Sequence, residues 1–358
     1  MRKYYILFSV LIFAVVLSGC SLVPTTGNTQ SADQKITVSP SVWKSVDGGR
    51  TWTVKNIASA KPMSVDWDIL RIVVNPNDSN NVLVGLKSGG MMVSVDGGER
   101  WKPTIFTSEK VYGLELNPQD GKTIYASAVY NGRGKIFKSM DRGENWEEIY
   151  TAAADGPLVV AMKLDENNPE TIYAATSDNL LLKSRDGGGS WRNVLKADAP
   201  IIQIETNKNS PGSVYILDDN GHIFHSVDAG DNFAEITPSG PALVSTFSSA
   251  KISSIRLDPI INGGIYAVGE NGIVRSNNAG GVWEKISTLN DPETTPITAL
   301  AVNPKDPKKI VYGSAQAAYG SLDGGLSWTA FQFEVSKHIG VLEYDPQNPD
   351  VVWAGFKK

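Results

Sequence analysis

The chain has 358 residues, of which 41% are hydrophobic and 20% charged, and its net charge is −5. This composition excludes a wholly disordered chain and a polytopic membrane protein. The single cysteine excludes an intramolecular disulfide framework and a multi-cysteine metal site. The acidic balance argues against a nucleic-acid partner, because phosphate binding depends mainly on lysine and arginine.

The first twenty residues have the layout of a targeting segment. Arg2 and Lys3 precede an apolar stretch over Ile6–Val16, and small residues lead up to Cys20. The pattern resembles a bacterial lipoprotein signal, which implies cleavage after residue 19 and a lipid on Cys20. The alternative is a transmembrane anchor with an incidental cysteine. An apolar run of about 14 residues is shorter than the roughly 20 that a membrane span needs.

This interpretation divides the chain into three parts. Residues 1–19 form the predicted signal peptide, residues 20–35 form the lipidated cysteine and a polar, flexible tether, and residues 36–358 form the folded part. Cleavage removes two basic residues and no acid, which takes the charge from −5 to −7. We therefore expect an extracytoplasmic protein of the cell envelope, anchored to a membrane by lipid.

The predicted folded part is a repeat. An octamer of the form Ser-x-Asp-x-Gly-x-x-Trp recurs every 42 to 50 residues, with five full and two degenerate copies. Such self-similarity indicates a repeat architecture. The seven copies are Ser45–Trp52, Ser94–Trp101, Ser139–Trp146, Ser184–Trp191, Ser226–Phe233, Ser276–Trp283 and Ser321–Trp328.

Each repeat also contains a strand pair upstream of its octamer. An apolar segment leads to Asn or Asp with a nearby Pro, and a second apolar segment with an aromatic residue follows, as in residues 114–127 and 302–313. The polar dipeptides mark turns and their flanks alternate like strands. A unit of this length with four strands predicts the blade of an all-β propeller.

The two ends of the chain complement each other. The octamer at Ser45 has no upstream strand pair, and the strand pair in residues 341–356 has no octamer. We predict that the two halves form one composite blade, which closes a seven-bladed ring and removes the exposed edge of an open array.

The octamers match the Asp-box, or bacterial neuraminidase repeat, and the resemblance covers nearly all of residues 40–356. It implies a hairpin turn between the third and outer strands, in which the Asp and Ser side chains bond the turn backbone. The seven carboxylate or amide positions are spread around a ring, so we expect a structural role for them and no shared catalytic or metal site. They are Asp47, Asp96, Asp141, Asp186, Asp228, Asn278 and Asp323.

The fold alone does not determine function, because Asp-box propellers include sialidases, xyloglucan-degrading hydrolases, sortilin-type receptors and photosystem II assembly-factor lipoproteins. Sialidases hold the substrate carboxylate with three arginines and carry an Arg-Ile-Pro motif near their start, and this chain has no such motif. Outside the signal and the octamer regions only Arg71, Arg133, Arg256 and Arg275 remain. Loop acids such as Asp66, Asp68 and Glu109 leave glycoside hydrolysis open, because it requires two carboxylates. The three histidines have no ligand spacing, and no metal or cofactor is predicted.

A few residues stand outside the repeat pattern. Trp67 has no repeat counterpart and lies beside Asp68, where the first inner strand begins. Tyr130 and Arg133 lie in a longer loop, and Tyr112 lies on an inner strand where it could line the channel. These five residues are the predicted binding candidates at the propeller mouth, against the alternative that they serve local packing.

Taken as a whole, the chain resembles the photosystem II assembly- and stability-factor-like lipoproteins. That resemblance implies a monomeric, membrane-tethered, non-catalytic scaffold that binds a protein partner at the cell envelope. The alternative is a lipid-anchored glycan-binding protein or glycoside hydrolase. No catalytic residue is predicted.

Overall fold

The computed structural model describes residues 40–55, 67–104, 110–238 and 251–358. The predicted signal peptide, Cys20 and the tether lie outside these residues. All described strands belong to one compact unit, Val38–Lys358, which contains seven four-stranded antiparallel sheets. This confirms the predicted all-β, seven-bladed propeller. Among the described residues, no helix has the length and hydrophobicity needed to cross a membrane.

The innermost strand of each blade lines the central channel, and each packs beside the next until β27 meets β3. These strands alternate buried and partly exposed residues, because one side packs between blades and the other faces the channel. They are β3 (Ile69–Val74), β7 (Val111–Leu116), β11 (Val159–Leu164), β15 (Ile201–Thr206), β19 (Ile252–Leu257), β23 (Ile297–Val302) and β27 (His338–Tyr344).

The second strands form the core of the ring and are almost entirely buried, which agrees with their continuous apolar sequence. They are β4 (Val82–Leu86), β8 (Ile124–Tyr130), β12 (Ile172–Thr176), β16 (Val214–Asp218), β20 (Ile265–Gly269), β24 (Ile310–Ser314) and β28 (Val352–Lys357). Trp353 of β28 is fully buried, and so are Tyr125 and Tyr173 at the equivalent positions of β8 and β12.

The third strands lead into the octamers. They are β1 (Val42–Ser45), β5 (Met91–Ser94), β9 (Arg133–Ser139), β13 (Leu180–Ser184), β17 (Ile223–Ser226), β21 (Gly272–Ser276) and β25 (Ala317–Ser321).

The outer strands follow the octamers and are mostly exposed. They are β2 (Thr53–Val54), β6 (Lys102–Pro103), β10 (Glu147–Thr151), β14 (Arg192–Lys196), β18 (Ala234–Glu235), β22 (Glu284–Ile286) and β26 (Thr329–Gln332).

The ring closes by the predicted composite blade. Its sheet has the order β2-β1-β28-β27, so the two strands that begin the described chain pair with the two that end it. Val42 pairs with Gly355 and Ser45 with Val352 along the joining ladder. Closure pairs strand edges that an open array would leave free.

The octamer turns repeat one hydrogen-bond pattern in all seven blades. In the Ser184–Trp191 copy, the Ser184 hydroxyl donates to Asp186 at 2.7 Å and accepts the Gly188 N–H at 2.9 Å, while Asp186 accepts the Ser190 N–H at 2.9 Å. The copy with Asn in place of Asp keeps these bonds, because the Asn278 amide oxygen accepts from Ser276 at 2.9 Å and from the Val282 N–H at 2.8 Å. The turn therefore needs an oxygen acceptor at this position, and an amide supplies it.

The turns that follow the inner strands are equally regular. The side-chain oxygen of Asn75 accepts the N–H of Asn77 at 2.9 Å, and the first Asn or Asp after every other inner strand does the same. These Asx turns lie at the same end of the ring as the octamers. We call this the lower end, and the end where the inner strands begin the upper end.

Candidate functional site at the upper end of the channel

A β-bulge near the start of every inner strand frames the upper end of the channel. In each strand the register shifts by one residue, which leaves one extra residue per blade. Four consecutive blades place an apolar residue there, Leu70, Tyr112, Val160 and Ile202, and all four are half-buried. We call these four the apolar arc. The next two blades have exposed Ser253 and Thr298 instead.

The structure thus places Tyr112 at the channel entrance, as a bulge residue of β7. Its side chain is neither fully buried nor fully exposed. The prediction that it could line the channel is compatible with this position, and its role in binding stays a prediction.

Further down, the channel contains a layer of charged side chains. The residue two positions before each Asx turn is charged in five of the seven inner strands. These five residues, which we call the charged layer, are Glu115, Lys163, Glu205, Arg256 and Glu343.

The charges of this layer alternate in sign around the ring. Lys163 lies 3.6 Å from Glu115, and Arg256 lies 3.2 Å from Glu205, with about a fifth of each of these side chains exposed. Gln203 adds a 2.6 Å hydrogen bond to Glu205. Three acids and two bases make the layer acidic by one charge, and Arg71, two residues higher on β3, compensates that charge.

The electrostatics of the layer set Glu343 apart. Burial raises the pKa of Glu343 to about 7, although Arg256 and Lys163 oppose the shift. Burial lowers the pKa of Lys163, but the carboxylates of Glu115 and Glu205 outweigh it and raise that pKa above its usual value. Glu343 has no hydrogen-bond or ion-pair partner within the described ranges, so no direct contact offsets the burial of its charge.

The predicted candidate Trp67 is a core residue. Only 3% of it is exposed, and its ring meets that of Trp101 edge-on at 6.3 Å between centroids. The two rings belong to the apolar cluster between the composite blade and the first blade, which consists of β3 to β6. The expectation that Trp67 is presented at the mouth is therefore wrong, because its apolar area is used in packing between blades.

Asp68 ties the two ends of the ring together. Its carboxylate lies 3.2 Å from the buried ammonium of Lys337 and 3.9 Å from Lys87, and it accepts the Lys358 N–H at 3.0 Å. Lys337 also donates to the Trp67 carbonyl at 2.6 Å. One carboxylate oxygen of Asp68 thus joins residues from the two ends of the ring, the other faces Lys87 of its own blade, and the role of Asp68 in ligand binding stays a prediction.

A second group of cations lies beside this pair, facing the first blade. Lys357 ends β28, and the carbon atoms of its side chain lie over Gly340, where an added Cβ would meet them at 2.7 to 2.8 Å. Burial lowers the pKa of Lys357, and Arg71 and Lys87 lower it further. His338 lies in the same surroundings, and burial followed by the charge of Lys357 lowers its pKa too. We call Arg71, Lys87 and Lys357 the basic cluster.

Tyr130 and Arg133 lie at the tip of a protruding hairpin. Strand β8 has seven residues where most second strands have five, and positive φ angles at Asn131 and Gly132 close a two-residue turn. The structure replaces the predicted longer loop with longer strands. Tyr130 is 42% exposed and packs edge-on against Phe137. The Arg133 guanidinium donates to the Ala152 carbonyl, at 3.0 Å from Nε.

The octamer acids do not form a site. The bonds they accept come from their own turns, and hydrogen bonds from Ser190 and Ser184 lower the pKa of Asp186 to about 2. Within the described ranges, no group of three His, Cys, Asp or Glu residues could hold a metal ion. The candidate site is therefore the upper end of the channel.

The charged layer was not predicted from the sequence, although the sequence contains a signal for it. A charged residue stands two positions before the turn residue in the segments containing Glu115, Lys163, Glu205, Arg256 and Glu343. Repeat alignment at that one position would have found it.

Comparisons with known proteins give two groups of relatives. No family model matches the chain. Xyloglucanase Xgh74A of Acetivibrio thermocellus is 24% identical over 196 residues, which are 43% of this chain and 22% of that enzyme. The photosystem II assembly lipoprotein Ycf48 of a Synechococcus species is 23% identical over 333 residues, which are 90% of this chain and 85% of that protein.

Solved structures include members of both groups. The GH74 enzyme of Niastella koreensis matches with a TM-score of 0.64 at 20% identity, covering 81% of this chain and 51% of that chain. A structure of YCF48 bound to D1 peptide matches with a TM-score of 0.62 at 15% identity, covering 82% of this chain and 93% of that chain. At these identities the likeness shows the propeller fold. The chain spans about half of the GH74 structure and less than a quarter of Xgh74A.

Proposed function

We propose that the chain is a non-catalytic propeller that binds an extended segment of a protein partner at the cell envelope, as a Ycf48-like assembly factor. The observation that carries this proposal is the similarity to Ycf48 along 90% of this chain and 85% of that protein. The structure of YCF48 bound to D1 peptide supports the proposal further, because this chain matches that peptide-bound protein over 93% of its length.

The upper end offers the features that such binding needs. Tyr130 presents a rigid aromatic surface on a protruding hairpin, held in place by Phe137 and by Lys135, whose ammonium lies 5.5 Å from the ring centroid. Exposed aromatic side chains with few rotatable bonds are favoured anchors at protein interfaces. The apolar arc lies at the same end of the ring, so the partner would contact both.

The second part of the proposal is the tether. The name of Ycf48 includes the word lipoprotein, which supports lipidation of Cys20, processing after residue 19 and an extracytoplasmic, membrane-bound location. Cys20→Ala should leave the protein as unprocessed precursor or release it from membranes. Normal processing and fractionation of that variant would contradict the tether.

Partner binding is tested by crosslinking and affinity purification from native membranes, with identification by mass spectrometry. We expect a reproducible envelope protein that is lost with Tyr130→Ala and reduced with Arg133→Gln. Leu326→Ala is the matched control, because Leu326 is 88% exposed in an octamer at the lower end. A partner that is unaffected by Tyr130→Ala, or no partner at all, would contradict the proposed binding face.

Glycan binding or hydrolysis is the second candidate function, favoured by the similarity to xyloglucanases and by Glu343. A carboxyl group with a pKa of about 7 suits a general acid. Against this, the nearby Glu115 and Glu205 are each held by a cation. A polysaccharide panel that includes xyloglucan, assayed for reducing-end release with Glu343→Gln as control, distinguishes the two functions.

A further inference from the structure

Three cations of one blade share a single carboxylate of the next. The third blade consists of β11 to β14 and the fourth of β15 to β18. Asp231 of the fourth blade lies 3.5 Å from the Lys183 ammonium and 3.3 Å from the Arg185 guanidinium. It also accepts a hydrogen bond from Arg192, and among the described residues it is the only carboxylate within 4 Å of these cations. We call Lys183, Arg185 and Arg192 the lower basic site, because they lie beside an octamer at the lower end of the ring.

The sheet brings these cations together on neighbouring positions. Lys183 and Arg192 are direct partners in the β13–β14 ladder, and Arg185 lies two residues after Lys183. Like charges directly opposite each other on two strands are destabilising. Asp231 offsets part of this repulsion, and a bound anion would offset it further.

The repeat accounts for Lys183. Its ammonium donates to the Ala229 carbonyl in the octamer of the next blade. Lys44 and Lys138 stand at the same repeat position and also donate to a backbone carbonyl of the next octamer. Lys183 therefore has a structural role in joining two blades.

The repeat does not account for the two arginines. At the position of Arg185, five of the other six blades have an exposed apolar residue and one has Asn277. At the position of Arg192, the first blade has Lys102 and the others have Thr, Ala or Glu. Only the third blade has a cation at both positions as well as before its octamer. Such a departure from an otherwise regular pattern is expected at a functional site.

The two arginines line a cavity of about 150 Å³ together with Lys183, Ser190 and Trp191. The Ser190 hydroxyl donates to Asp186 at 2.6 Å, and the Trp191 indole N–H donates to the Gly188 carbonyl at 3.1 Å. The donors that remain for a ligand are therefore those of the cations. Sites for drug-sized ligands have about 300–1,000 Å³, so this cavity suits a small anionic group.

The fifth blade, β19 to β22, has the same cavity without the same chemistry. Its cavity of about 190 Å³ is lined by the equivalent residues, with Asn277 and Glu284 in place of the two arginines. Its remaining cation, Arg275, forms an ion pair with Asp258 at 2.8 Å. The repeat thus supplies the cavity, and the arginines of the third blade supply the affinity for an anion.

Asp231 leaves much of the donor capacity of the lower basic site unused. Charge-assisted N–H···O bonds are typically about 2.7–2.9 Å long, whereas Asp231 lies at least 3.3 Å from Lys183 and Arg185. Among the described residues, Nε and Nη1 of both arginines have no acceptor. The oxygens of the octamer acid Asp186 accept bonds within their own turn. A tetrahedral phosphate has more oxygens than a carboxylate, and arginine binds it through paired N–H groups.

We propose that the lower basic site binds a phosphate group in the cavity beside Trp191. This inference goes beyond the proposed function, because the site lies at the lower end of the ring and the proposed partner-binding face at the upper end. The phosphate belongs to a small soluble phosphate compound or to a phospholipid headgroup. Both sources present the same chemistry, and the experiment distinguishes them.

The test measures the binding of four probes to the purified full chain by isothermal titration calorimetry at constant ionic strength. The probes are inorganic phosphate, glycerol 3-phosphate as a monoester, glycerophosphoglycerol as a diester lipid headgroup, and acetate as a carboxylate. Arg185→Gln and Arg192→Gln test the site. Arg100→Gln is the matched control, because Arg100 is an exposed octamer residue of the first blade. The Tm of each variant confirms that it is folded.

We expect saturable binding of at least one phosphate probe, and about tenfold or more weaker binding of acetate. Arg185→Gln and Arg192→Gln should each weaken phosphate binding by about tenfold, and Arg100→Gln should leave it unchanged. Tighter binding of the diester than of the monoester would identify a lipid headgroup as the source, and the reverse would identify a soluble phosphate compound. Absence of phosphate binding, equal binding of acetate, or phosphate binding that neither arginine variant weakens would overturn the assignment.

Discussion

The ammonium of Lys337 lies 3.2 Å from the carboxylate of Asp68, and the Lys337 side chain is fully buried. These residues immediately precede the last and the first inner strands, so the ion pair spans the closure of the ring. Lys337 also donates to the Trp67 carbonyl at 2.6 Å and to the Ser41 hydroxyl at 3.3 Å. The chain thus closes through a buried charge pair as well as through the β1–β28 ladder.

Breaking that pair should destabilise the propeller. Asp68→Asn removes the carboxylate that lies 3.2 Å from the buried Lys337 ammonium, and breaking a buried ion pair by removing one partner typically costs about 3–5 kcal/mol. The double variant Asp68→Asn with Lys337→Met removes both charges and should recover part of the loss. Urea unfolding measures both effects. Asp219→Asn breaks the exposed pair with Lys251 and should change stability by less than about 1 kcal/mol. Equal effects of Asp68→Asn and Asp219→Asn would contradict the closure role.

The octamer acids should make the protein sensitive to acid. Hydrogen bonds from Ser190 and Ser184 lower the pKa of Asp186 to about 2, below its unfolded value of 3.8. A lowered pKa means that its contribution is complete above about pH 4 and is lost as the pH falls through about 2. Asp186→Ala should lower Tm at neutral pH. Asp186→Asn should lower it less, because Asn278 makes the same bonds naturally.

Thermal denaturation between about pH 2 and pH 7 checks this prediction. The difference in Tm between the natural chain and Asp186→Asn should shrink as the pH falls. A difference that stays constant over that range would show that ionisation of Asp186 contributes nothing to the turn.

Glu343 should have the opposite pH dependence. Burial raises its pKa to about 7, so the folded state binds a proton that the unfolded state has released. Its contribution therefore weakens as the pH rises from about 4.5 through about 7. Glu343→Gln should gain stability relative to the natural chain between pH 5 and pH 8, by about 1 kcal/mol or more. Glu284→Gln, an exposed outer-strand control, should show no such change.

Deleting residues 341–358 should abolish cooperative folding. The deletion removes β28 and most of β27, and β1 loses the ladder on which it depends. The truncated chain should lack the thermal transition of the full chain, and adding the missing segment as a peptide should restore part of it. A truncated chain with the Tm of the full chain would show that the composite blade is dispensable.

The fold could be predicted because its determinants are local and repeated. Each octamer specifies one turn through its own Ser, Asp and Gly, and the Asx turn after each inner strand needs only its own side-chain oxygen. The octamer without a strand pair at one end of the chain and the strand pair without an octamer at the other then predicted the composite blade. Because the motif occurs seven times, the structure predicted for one copy could be compared with the sequence of the six others.

The site was harder to predict because it depends on non-local geometry. Trp67 lacks a repeat counterpart because it packs between the composite blade and the first blade, a contact that occurs once in the ring. The absence of a counterpart therefore indicated a special position in the fold and did not indicate ligand binding. Conversely, Glu115 and Glu205 look like ordinary exposed strand residues. Only closure of the ring brings them beside Lys163 and Arg256 in one channel.

The composite blade also determines how the molecule bears mechanical load. Strand β1 is the first described strand, and four residue pairs from Val42–Gly355 to Ser45–Val352 join it to β28. Two further pairs join it to β2. Tension applied through the residues that precede β1 therefore reaches the β1–β28 ladder before it reaches any of the six blades built from continuous sequence. The composite blade is therefore the part of the propeller that would bear the applied force first.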